Sequence, residues 1–138
     1  MLDTLRSDSD AWLPRFSIVA VDDEDGVVGH VLCTRAHVTM ASLMAPVLVL
    51  EPLAVRPDRQ RRGIGSALVE RVVAEARSAG ETLVVTVGDP AFFGRFRFVA
   101  AADSGLIGPG VGPRFQALAL APDHPVGDVA YPFAFSSR

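Results

Sequence analysis

The sequence contains no lysine and no asparagine, only one cysteine, and no long apolar run. Each absence excludes something. The nucleotide P-loop needs a lysine before its serine or threonine, so that reading fails outright. A single cysteine, Cys33, rules out an internal disulfide and any four-cysteine metal site, and it reads as a small buried residue. The longest apolar run, APVLVL at 45 to 50, is far shorter than the ~20 residues of a membrane span. The first 15 residues lack the layout of a signal peptide, so a soluble, cytoplasmic protein is expected. Basic surplus is missing too: the formal net charge is -3, which argues against a general nucleic-acid binder.

What is present describes one folded domain spanning residues 1–138. Hydrophobic residues make up 49% and charged residues 21%, with no low-complexity tract. The opening segment, with Leu2, Leu5, Trp12 and Leu13, reads as a helix remnant leading into Pro14. FSIVAV (16 to 21) and VVGHVLCTRAHV (27 to 38) read as a strand hairpin, and the acidic DDEDG between them as its solvated tip. The spacing of those acids does not fit a cation loop, and no metal site is expected. VLVLEPLAV (47 to 55) reads as a strand interrupted by Pro52.

SALVERVVAEARSAG then places Leu68, Val72, Val73, Ala76 and Ala79 at helical spacing, with Gly80 as a stop signal. TLVVTV (82 to 87) completes a βαβ unit with two parallel strands. Asp89 before Pro90 has the form of a cap and first-turn proline for a short helix. Short strands at 98 to 101 and 115 to 121 follow, and VAYPFAF closes as a strand or an extended segment. The fold class is mixed α/β (α+β), mostly antiparallel, with the parallel βαβ unit at its centre.

RPDRQRRGIGSAL, residues 56 to 68, connects that strand to that helix. The free amides of the helix's first turn point into the loop and carry the positive end of its dipole, which makes an anion site suited to phosphate. Gly63 and Gly65 permit close backbone approach, and Arg59, Arg61 and Arg62 add charge. A pyrophosphate is the natural partner. The dinucleotide fingerprint would need a third glycine where Leu68 stands. A turn with arginines kept for solubility, or a generic anion-binding scaffold, stays open on these residues alone.

Gln60, Arg61, Arg62, Gly63, Ile64 and Gly65 match the (Gln/Arg)-x-x-Gly-x-(Gly/Ala) element of the GNAT family of N-acetyltransferases. GDPAFFGRFRF at 88 to 98 resembles the GDPxYYxRFGF stretch of its YhbS-like bacterial subgroup, and the hairpin and the closing YPFAF fit that subgroup too. The resemblance implies the GNAT fold, with a V-shaped splay between strands 47–55 and 82–87 that admits acetyl-CoA. It implies that main-chain groups of Leu53, Ala54 and Val55 meet the pantetheine arm, with Phe93 bordering it. The amides from Arg61 through Gly63, Ile64 and Gly65 to Ser66 would hold the pyrophosphate beside Gln60 and Arg62. The implied reaction is acetyl transfer to a primary amine of a small molecule or protein.

The amine must lose a proton first, and Glu51, on the strand bordering the cleft, is the candidate base. The family's usual thiolate-protonating tyrosine falls at Phe93, which has no exchangeable proton; Tyr131, the only tyrosine, is the candidate substitute. The glycine of the subgroup's terminal Gly-Phe falls at Arg97. The chain also starts near the end of the family's usual first strand and helix, which leaves FSIVAV as an exposed edge and a homodimer as an expectation. A CoA-binding sensor without turnover is the alternative function.

Overall fold

A computed structural model of the chain describes residues 4–7, 14–108 and 112–130. Four strands come first: β1 (Thr4–Ser7), β2 (Ser17–Asp22), β3 (Gly26–Met40) and β4 (Leu43–Val55). Then follow α1 (Ile64–Ser78), β5 (Leu83–Val87), α2 (Pro90–Gly94), β6 (Val99–Ala100), β7 (Leu106–Ile107), β8 (Phe115–Ala119) and β9 (Gly127–Ala130). The pairs β1/β2, β2/β3, β3/β9, β5/β8 and β6/β8 are antiparallel. The pairs β4/β5 and β7/β9 are parallel. The sheet is thus mixed and mostly antiparallel, and β4, α1 and β5 form the expected βαβ unit.

The chain divides into two compact units, Met1–Cys33 with Glu51–Ala79, and Thr34–Leu50 with Gly80–Arg138. Strands β3 and β4 contribute to both.

In the first unit, α1 packs on β2. Its apolar residues recur at helical spacing, so Ile64, Leu68, Val69, Val72 and Ala76 form one buried stripe, set against Ile18 and Ala20 of β2. Val69 takes the place that the sequence pattern gave to Val73, and Ala79 is exposed. At Gly29 the approach is close: a Cβ there would stand 3.1 Å from both Ile64 Cγ2 and Leu68 Cδ1. The helix is tied further by Arg15, whose Nε donates to Glu75 at 2.9 Å and whose Nη2 donates to Ser78 at 3.0 Å.

The second unit has its own core, including Val38, Val47, Val49, Leu83, Val85 and Phe115. The β4/β5 register joins Leu48 to Val84 and Val49 to Val85, and the buried Thr86 hydroxyl donates to Leu50 O at 2.7 Å. Asp89 caps α2 as the sequence indicates, accepting from the Ala91 N–H at 2.9 Å. The turn after α2 closes through Arg97 N–H to Gly94 O (3.1 Å) and Phe98 N–H to Phe93 O (3.3 Å), with Arg97 left-handed at φ 73°. Helices commonly place glycine at that position. Arginine occupies that place under strain. At the far end of β3 and β4, Met40, Leu43 and Met44 are exposed.

Two expectations are corrected. The opening segment, where described, is not helical: Thr4–Ser7 is strand, and Pro14–Phe16 is a single 3-10 turn. Nor is FSIVAV an open edge, because β1 pairs along β2 from Thr4↔Val21 to Ser7↔Ile18 while β3 holds its other side. No helix of the described residues is long and apolar enough to cross a membrane.

Candidate functional site

The link from β4 to α1 is built from the backbone outward. Arg56 N–H donates to Val28 O at 2.8 Å, which keeps the end of β4 on β3. Pro57 then opens a 3-10 turn over Pro57–Arg59, its fixed φ suiting that position. Gln60 is extended (φ -68°, ψ 157°), and its side-chain amide turns back to donate to Val55 O at 3.1 Å. Arg61 is left-handed at φ 66°, and so is Gly63 at φ 78° and ψ 7°, directly before the right-handed helix.

Left-handed and right-handed residues in succession turn neighbouring N–H groups toward one side, a concavity that suits anions. Here that concavity joins the amides of the first turn of a 15-residue helix and the positive end of its dipole. Gly63 has no side chain with which to cap them, and the first helical bond is Ala67 N–H to Gly63 O at 2.9 Å. A Cβ placed on Gly63 would meet nothing within 4 Å, so its glycine is required by the left-handed backbone and not by crowding. Ile64 is buried in the unit's core and anchors the turn, while Gly65 and Ser66 are half-buried. Donor set and charge fit a diphosphate.

The arginines divide into two groups. Arg59 was expected to add charge toward phosphate and does not: its Nη2 donates to Asp22 at 2.8 Å and to Asp25, and its Nη1 to Asp58 at 3.3 Å. Those carboxylates hold its guanidinium even more firmly protonated than usual. Asp22 is correspondingly held below the usual carboxylate range, first by the Glu24 N–H and then by Arg59. Arg56 is engaged by Asp58 at 2.8 and 3.1 Å. Arg61 and Arg62 are exposed, and neither has an acidic partner among the described residues. These two carry the loop's uncommitted charge.

On β4, successive residues turn their main-chain groups to opposite edges. Arg56 bonds to β3, and Ala54 O would lie 3.4 Å from a Cβ on Gly29 of the same strand. Ala54 therefore faces β3, and the main-chain groups of Leu53 and Val55 face the other edge. Glu51 is half-buried on this stretch, followed by Pro52. Tyr131 and the YPFAF segment lie outside the described residues. The Phe93 ring is 6% exposed, edge-on to Phe92 and Phe98 at 5.0 and 5.4 Å, which makes it a core residue of the second unit.

Comparison with known proteins decides the family. The Acetyltransferase (GNAT) family model matches residues 2–94. The chain belongs to this family. It is 35% identical over 108 residues to the uncharacterized N-acetyltransferase YhbS of Escherichia coli, covering 77% of this chain and 64% of that relative. The chain thus spans just under two thirds of that relative's length. The crystal structure of Escherichia coli YhbS in complex with CoA superposes with a TM-score of 0.83 at 27% identity, over 98% of this chain and 93% of that one. A GNAT acetyltransferase of Brucella melitensis, solved with acetyl-CoA, gives 0.69 at 35% identity, over 86% and 67%. The GNAT fold and the likeness to YhbS stand on these matches.

Sequence reasoning missed the ties between the acidic turn and the loop. DDEDG looked like a solvated tip, although Asp22 and Asp25 both hold Arg59. The signal was there in opposite charges at the two places, but nothing in one dimension pairs residues 34 and 37 positions apart. The left-handed backbone at Arg61 carried no signal, since arginine is not a residue that favours it. Among the described residues no group of three or more His, Cys, Asp or Glu side chains is placed to hold a metal ion.

Proposed function

We propose that this chain is an acetyl-CoA-dependent N-acetyltransferase that passes an acetyl group to a primary amine of a small molecule or protein. The observation that carries the reading is the left-handed pair Arg61 and Gly63 opening α1, a backbone arrangement that suits an anion. The relatives solved with CoA and with acetyl-CoA support the choice of ligand. In this reading the amides from Arg61 to Ser66 hold the diphosphate, and the exposed Arg61 and Arg62 add charge. Leu53 and Val55 offer main-chain groups along the β4 edge that faces away from β3, where an amide-bearing arm gains sheet-like hydrogen bonds.

Bound acetyl-CoA supplies an acetyl group activated as a thioester. The acceptor arrives as an ammonium with a pKa of about 10, so a base must free its lone pair. Glu51, half-buried on β4, takes that role in the proposal. Phe93 offers no proton for the departing thiolate; Tyr131 is the proposed donor.

The test is incubation with acetyl-CoA and a panel of amines, following thiol release. Turnover of at least one acceptor above hydrolysis is expected, and none would defeat the reading. The chain contains no lysine, so its own side chains add no amine background. Phe93 favours a second reading, a CoA-binding protein without turnover. Calorimetry would then show CoA binding while every amine stays silent.

A further inference from the structure

Arg59 stands at the end of the 3-10 turn, immediately before the residues that form the anion cradle. Its side chain retains 13% of its surface and that of Asp22 retains 11%, so the pair is set into the protein and screened less than a surface ion pair. Asp22 is fixed from its other oxygen as well, where Oδ1 accepts from the N–H of Glu24 at 2.7 Å and of Asp25 at 3.3 Å. Arg59 also meets Asp58, which Arg56 grips with two bonds. A continuous run of charge-assisted bonds therefore joins the β2–β3 turn to the residue preceding Gln60.

We propose that Arg59 is a positioning residue for the diphosphate site, holding the loop so that the amides after it are aimed before any ligand arrives. The inference rests on reading residues 61–66 as that site. Its physical basis is the backbone at Arg61: a left-handed non-glycine residue is unfavourable and persists only where its surroundings over-determine it. Helix α1 constrains the loop on one side and the Gln60–Val55 bond on the other; Arg59 supplies the third restraint, to the hairpin. Without it the loop populates other conformations, and apparent affinity falls with the fraction that remains competent. A lysine keeps the charge but not the planar fork that meets several carboxylates at once.

The experiment compares the wild type with Arg59→Met, Arg59→Lys and Asp22→Asn. It measures CoA affinity by calorimetry, KM for S-acetylpantetheine, which carries the arm without the diphosphate, and amide hydrogen exchange without ligand. Arg59→Met is expected to weaken CoA about tenfold, the scale of one charge-assisted hydrogen bond. Arg59→Lys recovers part of that, the S-acetylpantetheine KM is unchanged, and exchange accelerates at residues 60–66 but not in β8. Should Arg59→Met fail to fold, Asp22→Asn removes one arm of the latch and shifts the same readouts in the same direction, by less. Wild-type CoA affinity with unchanged loop exchange overturns the inference and leaves the proposed function standing. Equal losses for CoA and S-acetylpantetheine, with exchange raised throughout, overturn it too, as a general structural effect. A wild type that binds no CoA removes the reading beneath it.

Discussion

Ile64, the first residue of α1, rests on Gly29 so closely that a single added carbon would sit 3.1 Å from its Cγ2. The same carbon would lie 3.1 Å from Leu68 Cδ1 and 3.4 Å from Ala54 O. A branched side chain at 29 must therefore displace the turn that begins the helix. Gly29→Val is expected to destabilise the fold by about 1–3 kcal/mol, the usual cost of overpacking. Chemical denaturation measures it, and a midpoint equal to wild type would contradict the packing.

Gly63 presents the opposite case. Space around it is open, but its φ of 78° is unfavourable for any residue with a Cβ. Gly63→Ala is expected to cost about 1–2 kcal/mol through the backbone alone. CoA affinity is expected to fall with it, because the relaxed turn aims its amides elsewhere. An alanine variant of full stability would show that the loop does not depend on the left-handed state.

Arg97 occupies a left-handed position that glycine fills without strain. Arg97→Gly is expected to stabilise the chain by about 0.5–1 kcal/mol, a small net gain because the unfolded chain also becomes freer. The two bonds that close the turn are main-chain bonds and survive the change. A lowered melting temperature would mean that the arginine side chain has a structural role of its own.

Acid should weaken the fold through two carboxylates. Asp22 is depressed by the Glu24 N–H and then by Arg59, and Glu75 by Arg15 and then by Arg71. A group with a lowered folded pKa stabilises fully above its unfolded value, about 4 for both types, and loses that contribution as pH falls through the lower folded value. Stability is thus expected to be level from pH 7 to about 5 and to decline below about 4. Asp22→Asn should decline less steeply. Parallel curves for the two proteins would deny Asp22 that role.

Thr86 donates from a buried hydroxyl to Leu50 O. Thr86→Val keeps the shape and removes the donor, and about 1–2 kcal/mol should be lost. Thr86→Ser, which keeps the hydroxyl, should lose less than valine does in the same denaturation experiment.

Much of this was legible in one dimension, for identifiable reasons. Helix α1 announced itself because Leu68, Val72 and Ala76 recur at helical period, and α2 because Asp89 and Pro90 are a cap and a first-turn residue. The turn into α1 was legible at Gly63, because the left-handed conformation it adopts is one that glycine favours. What stayed hidden depended on distance along the chain. Strand β1 is four residues long with little alternation to betray it, and its partner β2 lies beyond residues 8–13. The fate of each arginine was equally hidden, because which of four similar side chains meets Asp22 is settled only once the hairpin folds back.

The exposed thioethers of Met40 and Met44 mark where β3 turns into β4. Peroxide would reach both before any buried sulfur such as that of Cys33, and each sulfoxide would add polarity at the tip of a hairpin already facing water. Among the described residues mild oxidation therefore labels that end, while residues 56–66 hold no sulfur to be oxidised, and it gives a covalent marker for anything that comes to cover the turn.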